Sequence, residues 1–184
     1  PPEDRSRDVP RPVLGSESVR VLDLCAGSGA IGVAVAKAAP DALVDFGEID
    51  EAHLPTIKRN LEENNIDPKR INIIHSNLFD NIPYQYDYIL SNPPYIDPAL
   101  DRAEPSVKLH EPHLALYGGH GGTEVIASII ANAPKYLSSG GQLWLEHEPE
   151  QVEPIHRFAN DHGFVATTHT DQYNVPRYSI LVLQ

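Results

Sequence analysis

The stretch that most limits the fold opens the patterned part of the chain. Residues 19–24, Val19-Arg20-Val21-Leu22-Asp23-Leu24, are apolar enough for a strand covered on both faces. Cys25-Ala26-Gly27-Ser28-Gly29 is a turn, and residues 30–39 form an Ala/Val-rich helix that Pro40 stops. A strand, a tight turn and a helix carry the chain back over a sheet, so the next strand lies parallel to the first. The unit repeats. Residues 42–46 predict a second strand, closed by Gly47-Glu48-Ile49-Asp50. Residues 51–65 predict a helix with Leu54, Ile57 and Leu61 on one face and Pro55 in its first turn.

Strands follow at 71–75 and 86–91, then a helix over 123–137, and Gly140-Gly141 turns the chain into a strand over 142–147. A helix over 152–162 precedes strands at 165–169 and 178–183, joined by a short loop with no helix between them. Those two therefore pair antiparallel. The expectation is an α/β, doubly wound sheet, mostly parallel with an antiparallel C-terminal strand. Residues 1–18, rich in Pro, Ser, Arg and Asp, read as a linker or the edge of a preceding region. Residues 19–184 read as one domain. With no methionine, the sequence reads as a piece trimmed from a longer chain.

No apolar run approaches the ~18 residues of a membrane span, and no signal segment opens the chain. Cys25 is the single cysteine, so no internal disulfide forms and a reducing, cytoplasmic setting is expected, a mitochondrial one being the alternative. The net charge of −12 opposes sequence-independent binding to nucleic acid. His110, His113 and His120 lack the Cys/His quartet of a structural zinc site, and no metal is expected.

The strand over 86–91 ends in Asn92-Pro93-Pro94-Tyr95. Two prolines donate no backbone hydrogen bond, so the strand stops and a rigid extended loop begins. An amide oxygen beside a bare carbonyl accepts both hydrogens of a planar NH2 group, while the ring stacks on its face. In an open α/β sheet, ligands bind at the carboxyl ends of the strands, where the other motifs also lie. Gly27, Gly29 and Gly32 match G-x-G-x-x-G, but Asp23 disfavours a pyrophosphate and suits a cationic amino group. Glu48 and Asp50 both stand where a carboxylate binds ribose hydroxyls, and alternation puts them on the same side. Ser76-Asn77-Leu78-Phe79 fits an adenine pocket, with Asn77 toward the amine and Leu78 or Phe79 against the ring.

Together these segments resemble class I S-adenosylmethionine-dependent methyltransferases acting on planar NH2 groups. Glu111-Pro112-His113-Leu114-Ala115-Leu116-Tyr117-Gly118-Gly119, Gly121-Gly122, Gly140-Gly141, Leu145-Glu146-His147 through Gln151, and the closing Asp171 and Arg177 narrow the resemblance. They resemble the HemK/PrmC peptide chain release factor glutamine methyltransferases. The resemblance implies a class I methyltransferase, Rossmann-like catalytic domain that N5-methylates the glutamine of a release factor's Gly-Gly-Gln loop. A monomer is expected. The resemblance implies cofactor contacts from Asp23, Cys25, Ala26, Gly27, Gly29, Glu48, Ile49, Asn77, Leu78, Phe79 and Asn92. It implies catalytic roles for Asn92, Pro93 and Tyr95, and substrate contacts from those residues with Pro94, Glu111 and Pro112. The sequence departs from that family in Glu148-Pro149, where a small residue usually follows the Glu-His pair. The family's helical N-terminal domain is not expected within these residues. The alternatives are an N6-adenine methyltransferase acting on DNA or RNA, and a non-catalytic cofactor-binding or interaction module.

Overall fold

The computed structural model describes residues 18–96 and 118–184. Its strands are β1 (Arg20–Leu24), β2 (Leu43–Glu48), β3 (Ile71–His75), β4 (Tyr86–Ser91), β5 (Leu137–Glu146), β6 (Phe164–Thr170) and β7 (Pro176–Leu183). Its helices are α1 (Ala30–Ala38), α2 (Leu54–Glu63), α3 (Glu124–Asn132) and α4 (Val152–Asp161). The sheet order is β3-β2-β1-β4-β5-β7-β6. β2 is parallel to both β1 and β3, and β7 is antiparallel to both β5 and β6. This is the fold class expected, including the antiparallel pairing at the C-terminus.

The described chain divides into two compact units. One runs to Leu90 and includes Lys135–Gly141; the other comprises Ser91–Pro134 and Gln142–Gln184, where these are described. In the first, α1 and α2 bury Val33, Ala36, Ile57 and Leu61 against Val21, Val44 and Phe46. Each large aliphatic or aromatic side chain buried this way contributes about 1.5–3 kcal/mol. The register sets Leu24 beside Gly47 and Glu48 beside His75, aligning the carboxyl ends of three strands. A polar cluster lies deeper in the same sheet. Arg20 Nη1 stands 2.9 Å from Asp45 Oδ2, which also accepts from Tyr86 Oη at 2.8 Å. Asn72 Nδ2 donates to Asp45 Oδ1 at 2.7 Å. Asp45 is fully buried, and these three donors are what make its charge tolerable.

In the second unit α3 buries Ile126, Ile129 and Ile130, and α4, which packs on β6 and α3, buries Ile155 and Ala159. Burial alternates along the later half of β5, with Leu143 and Leu145 inside, as one covered face requires.

Two boundaries differ most from expectation. The helix foreseen over 123–137 ends at Asn132, and Ala133–Lys135 form a 3-10 turn. Pro134 lacks an N–H and its ring would collide with the carbonyl one turn back, so the α-helix cannot pass it. β5 starts at Leu137, ahead of Gly140-Gly141, and absorbs Gly140 as a left-handed kink (φ 74°) instead of a separating turn.

Candidate functional site

In the first unit, the turn after β1 is strained and held from two sides. Cys25, Gly27 and Gly29 have φ of 59°, 54° and 78°, all left-handed. For Cys25 that conformation costs of order 1 kcal/mol and persists because the surroundings impose it. Ala26 N donates to Gly47 O of β2 at 3.1 Å, and Asn60 Nδ2 of α2 donates to Ser28 O at 2.8 Å. Gly32 serves packing: a Cβ there would run into the Phe46 ring, its Cζ at 2.6 Å. Among the described residues, a Cβ on Gly27 would meet nothing within 4 Å, which leaves the turn open on that side.

Two buried carboxylates flank the turn. Asp23 Oδ2 accepts from Gly32 N at 2.7 Å, and Asp23 is 1% exposed. Burial pushes its carboxyl up to about 7; the Glu48 charge adds to this, and the Gly32 N–H opposes it. Glu48, also buried, accepts from Gly27 N at 2.7 Å and from Asp50 N at 2.8 Å. Asp50 turns elsewhere, its Oδ1 accepting from Ala52 N at 2.9 Å. Alternation along β2 could not separate these two acids. Their partners do, because only Glu48 is bonded to the glycine turn. His53 Nδ1 lies 3.7 Å from Glu48 Oε1.

After β3, Ser76 is buried, with its N–H on Glu48 O at 2.8 Å, and Asn77 is exposed. Leu78 takes a left-handed φ of 48° and is half-buried. Phe79 is buried and stacks on Tyr136, ring centroids 4.6 Å apart. Its ring is thus taken up by the interior, while Asn77 and Leu78 keep surface. Ile49 is 42% exposed, unusual for a large aliphatic side chain at a strand end.

The second unit carries the segment after β4. Asn92 is exposed, Pro93 is buried, and Pro94 and Tyr95 are half-buried. The Tyr95 carbonyl accepts from Gln151 Nε2 at 2.9 Å, and the Ile96 carbonyl from Gly118 N at 3.0 Å. Gln151 Nε2 also reaches Gly122 O at 3.1 Å and Gly121 O at 3.3 Å. Gly122 packs so tightly on the Tyr95 carbonyl that no side chain fits there. Gly118, against the Pro94 carbonyl, and Gly122, against that of Tyr95, therefore let one backbone lie on another. Glu111 and Pro112, together with His110 and His113, lie outside the described residues, as does most of the expected linker.

Tyr95 Oη stands 3.5 Å from Glu146 Oε1, a long contact. Burial, then the Glu146 and Glu148 charges, push the Tyr95 phenol up to about 12, and burial raises the Glu146 carboxyl. Tyr95 stays protonated at any physiological pH and cannot serve as a base. Arg177 bridges Glu148 at 2.9 Å and Asp171 at 3.6 Å. His147 is fully buried between Glu148 O (2.9 Å) and Ser179 Oγ (2.8 Å), and burial lowers its basicity.

Residues 11–105 match the methyltransferase small domain family. The chain belongs to that family. Among its relatives is a ribosomal protein uL3 glutamine methyltransferase of Bordetella pertussis, 40% identical over 73% of this chain and 46% of that protein. Another is a release factor glutamine methyltransferase of Gloeobacter violaceus, 43% identical over 69% of this chain and 45% of that protein. The methyltransferase domain thus spans less than half the length of these curated relatives. A solved methyltransferase from Pyrococcus furiosus has the same fold, with a TM-score of 0.66 at 18% identity, covering 90% of this chain and 74% of that one.

The methyl donor of this class is S-adenosylmethionine, and the residues of the methyltransferase domain fit it. Asp23 is a buried carboxylate short of a cation, Glu48 is aimed at an open turn, and Asn77, Leu78 and Ile49 offer polar and apolar surface beside it. From sequence alone Gln151 has no role beyond its place in the stretch that carries the resemblance. Glu148 three residues ahead of Gln151 is a pattern that signals a capped turn, and Glu148 N does donate to Gln151 Oε1 at 3.0 Å. Nothing in that spacing points the other end of the amide at Tyr95.

Proposed function

We propose that the domain transfers a methyl group from S-adenosylmethionine to the side-chain amide nitrogen of a protein glutamine, the Gly-Gly-Gln loop of a release factor being the preferred acceptor. The carrying observation is the Asn92–Tyr95 segment. The Tyr95 carbonyl is tied to Gln151 and that of Ile96, next in the chain, to Gly118 N, while among the described residues the Asn92 side chain and the Pro93 carbonyl have no hydrogen-bond partner. Those two groups are the acceptors a planar NH2 requires.

Asp23, the Cys25–Gly29 turn, Glu48, Ile49, Asn77 and Leu78 would hold the cofactor, which when bound supplies an electrophilic methyl group. An amide nitrogen is a poor nucleophile because its lone pair is delocalised, so placement has to do much of the work. Asn92 Oδ1 and the Pro93 carbonyl take one N–H each and fix the rotation of the amide. Positive charge grows on nitrogen as its new bond forms, and the same two acceptors then bind more strongly. Tyr95, neutral throughout, packs on the amide plane. No base is needed beforehand, since the product nitrogen releases its proton to water.

The glutamine of ribosomal protein uL3 is the second reading, favoured by the names of several relatives. An adenine acceptor in nucleic acid is disfavoured by the net charge of −12. The test is labelled methyl transfer to release factor, uL3 and adenine-containing oligonucleotides, with the methyl group located by mass spectrometry. Transfer to a glutamine nitrogen is expected, and Asn92→Ala should lower kcat by about 100-fold or more. Methyl on adenine, or near-parental transfer by Asn92→Ala, would overturn the reading.

A further inference from the structure

We infer that Gln151 is the positioning residue of the acceptor segment, acting through the backbone and not by touching the acceptor. This rests on the assignment of Asn92–Tyr95 given above. One planar NH2 group, Gln151 Nε2, lies within reach of three carbonyls: Tyr95 at 2.9 Å, Gly122 at 3.1 Å and Gly121 at 3.3 Å. These come from two stretches far apart in sequence, and both carbonyl-rich strands of chain converge on a buried donor. The acceptor end of the same amide is occupied separately by Glu148 N at 3.0 Å. Gln151 therefore has its donor and acceptor ends both used, is 5% exposed, and has one orientation that satisfies them.

The base on which it stands is itself rigid. His147 Nδ1 faces a carbonyl, Glu148 O, so it must donate, and in the neutral ring Nε2 accepts from Ser179 Oγ. Ser179 Oγ can then accept from Thr168 Oγ1 at 2.7 Å, and Thr168 from His156 Nε2 at 2.8 Å. The donors and acceptors run one way along β6, β7 and α4. Arg177 pins Glu148 from the other side at 2.9 Å. The turn carrying Gln151 is thus anchored to the sheet, and Gln151 transmits that anchorage to Tyr95 and to the Gly118–Gly122 stretch. A segment misplaced by about 1 Å loses on the order of 100-fold in rate, so the staple sets the efficiency of transfer.

Two variants test this. Gln151→Glu keeps the length and the acceptor for Glu148 N but turns a second oxygen on the three carbonyls; Gln151→Met is neutral and of similar length. The expected result for both is a roughly 100-fold fall in kcat with S-adenosylmethionine affinity within twofold of the parent. Alongside it, amide exchange should show Gly118 losing at least about tenfold in protection while Gly32 keeps its own. Unchanged kcat, unchanged Gly118 exchange, or equal loss of protection at Gly32 would each overturn the inference, the last because it signals general destabilisation. The exchange measurement needs no substrate. Absence of glutamine methylation by the parent chain would strike the assigned acceptor, whereas unchanged Gly118 exchange strikes the staple by itself.

Discussion

Asp23→Asn should make the ligand-free protein more stable while weakening its hold on the cofactor. Asp23 is 1% exposed, and burial raises its carboxyl from an ordinary 3.8 to about 7. For an acid, a folded value above the unfolded one means that the fold resists the charged form. Below about pH 4 the group is neutral in both states and costs nothing. The cost grows as pH rises through the interval and is complete above about pH 7. A difference of about three pH units corresponds to about 4 kcal/mol, at 1.36 kcal/mol each. Asparagine keeps an oxygen for Gly32 N and carries no charge. Urea unfolding of the two proteins without cofactor should therefore show the variant ahead by about 2–4 kcal/mol at pH 8, shrinking to under about 1 kcal/mol at pH 4, with equal m values. A bound cation relieves the same cost, so the parent's affinity for S-adenosylmethionine should fall as Asp23 takes up a proton below about pH 7, and calorimetry should find the variant's affinity lower and flat over that range. A variant no more stable than the parent at pH 8, or an advantage that persists unchanged at pH 4, would refute the reasoning.

Two other perturbations probe the first unit. Arg20→Ala leaves Asp45 buried without its cation and should cost about 3–5 kcal/mol in urea unfolding; a loss under about 1 kcal/mol would mean that Tyr86 and Asn72 suffice. Gly32→Ala drives a methyl group into the Phe46 ring and should cost about 1–3 kcal/mol by thermal unfolding, partly recovered by adding Phe46→Leu.

Much of the fold was legible because punctuation and periodicity agree. Glycine turns and prolines bound most elements, and apolar spacing distinguishes the strands from α1, α2 and α4. The exceptions share a cause. Pro134 ends a helix whose apolar pattern runs on to Leu137, and Gly140 kinks a strand without ending it. In each place local composition was compatible with two backbones, and packing chose one.

The site divides in the same way. Asp23, the glycine turn and Asn92-Pro93-Pro94-Tyr95 are recognisable from residue chemistry alone, because a carboxylate before a turn and a double proline after a strand each permit few conformations. Tertiary structure decided the rest. It gave Glu48, and not Asp50, the Gly27 N–H, a distinction invisible to residues of equal parity on one strand. It took Phe79 into a stack with Tyr136. It also brought Gln151 to the Tyr95 carbonyl and Gly122, across 56 and 29 positions of sequence. Local pattern reports what a residue can bond to. Which partner it meets over such separations is settled only when the whole sheet and its connections have closed.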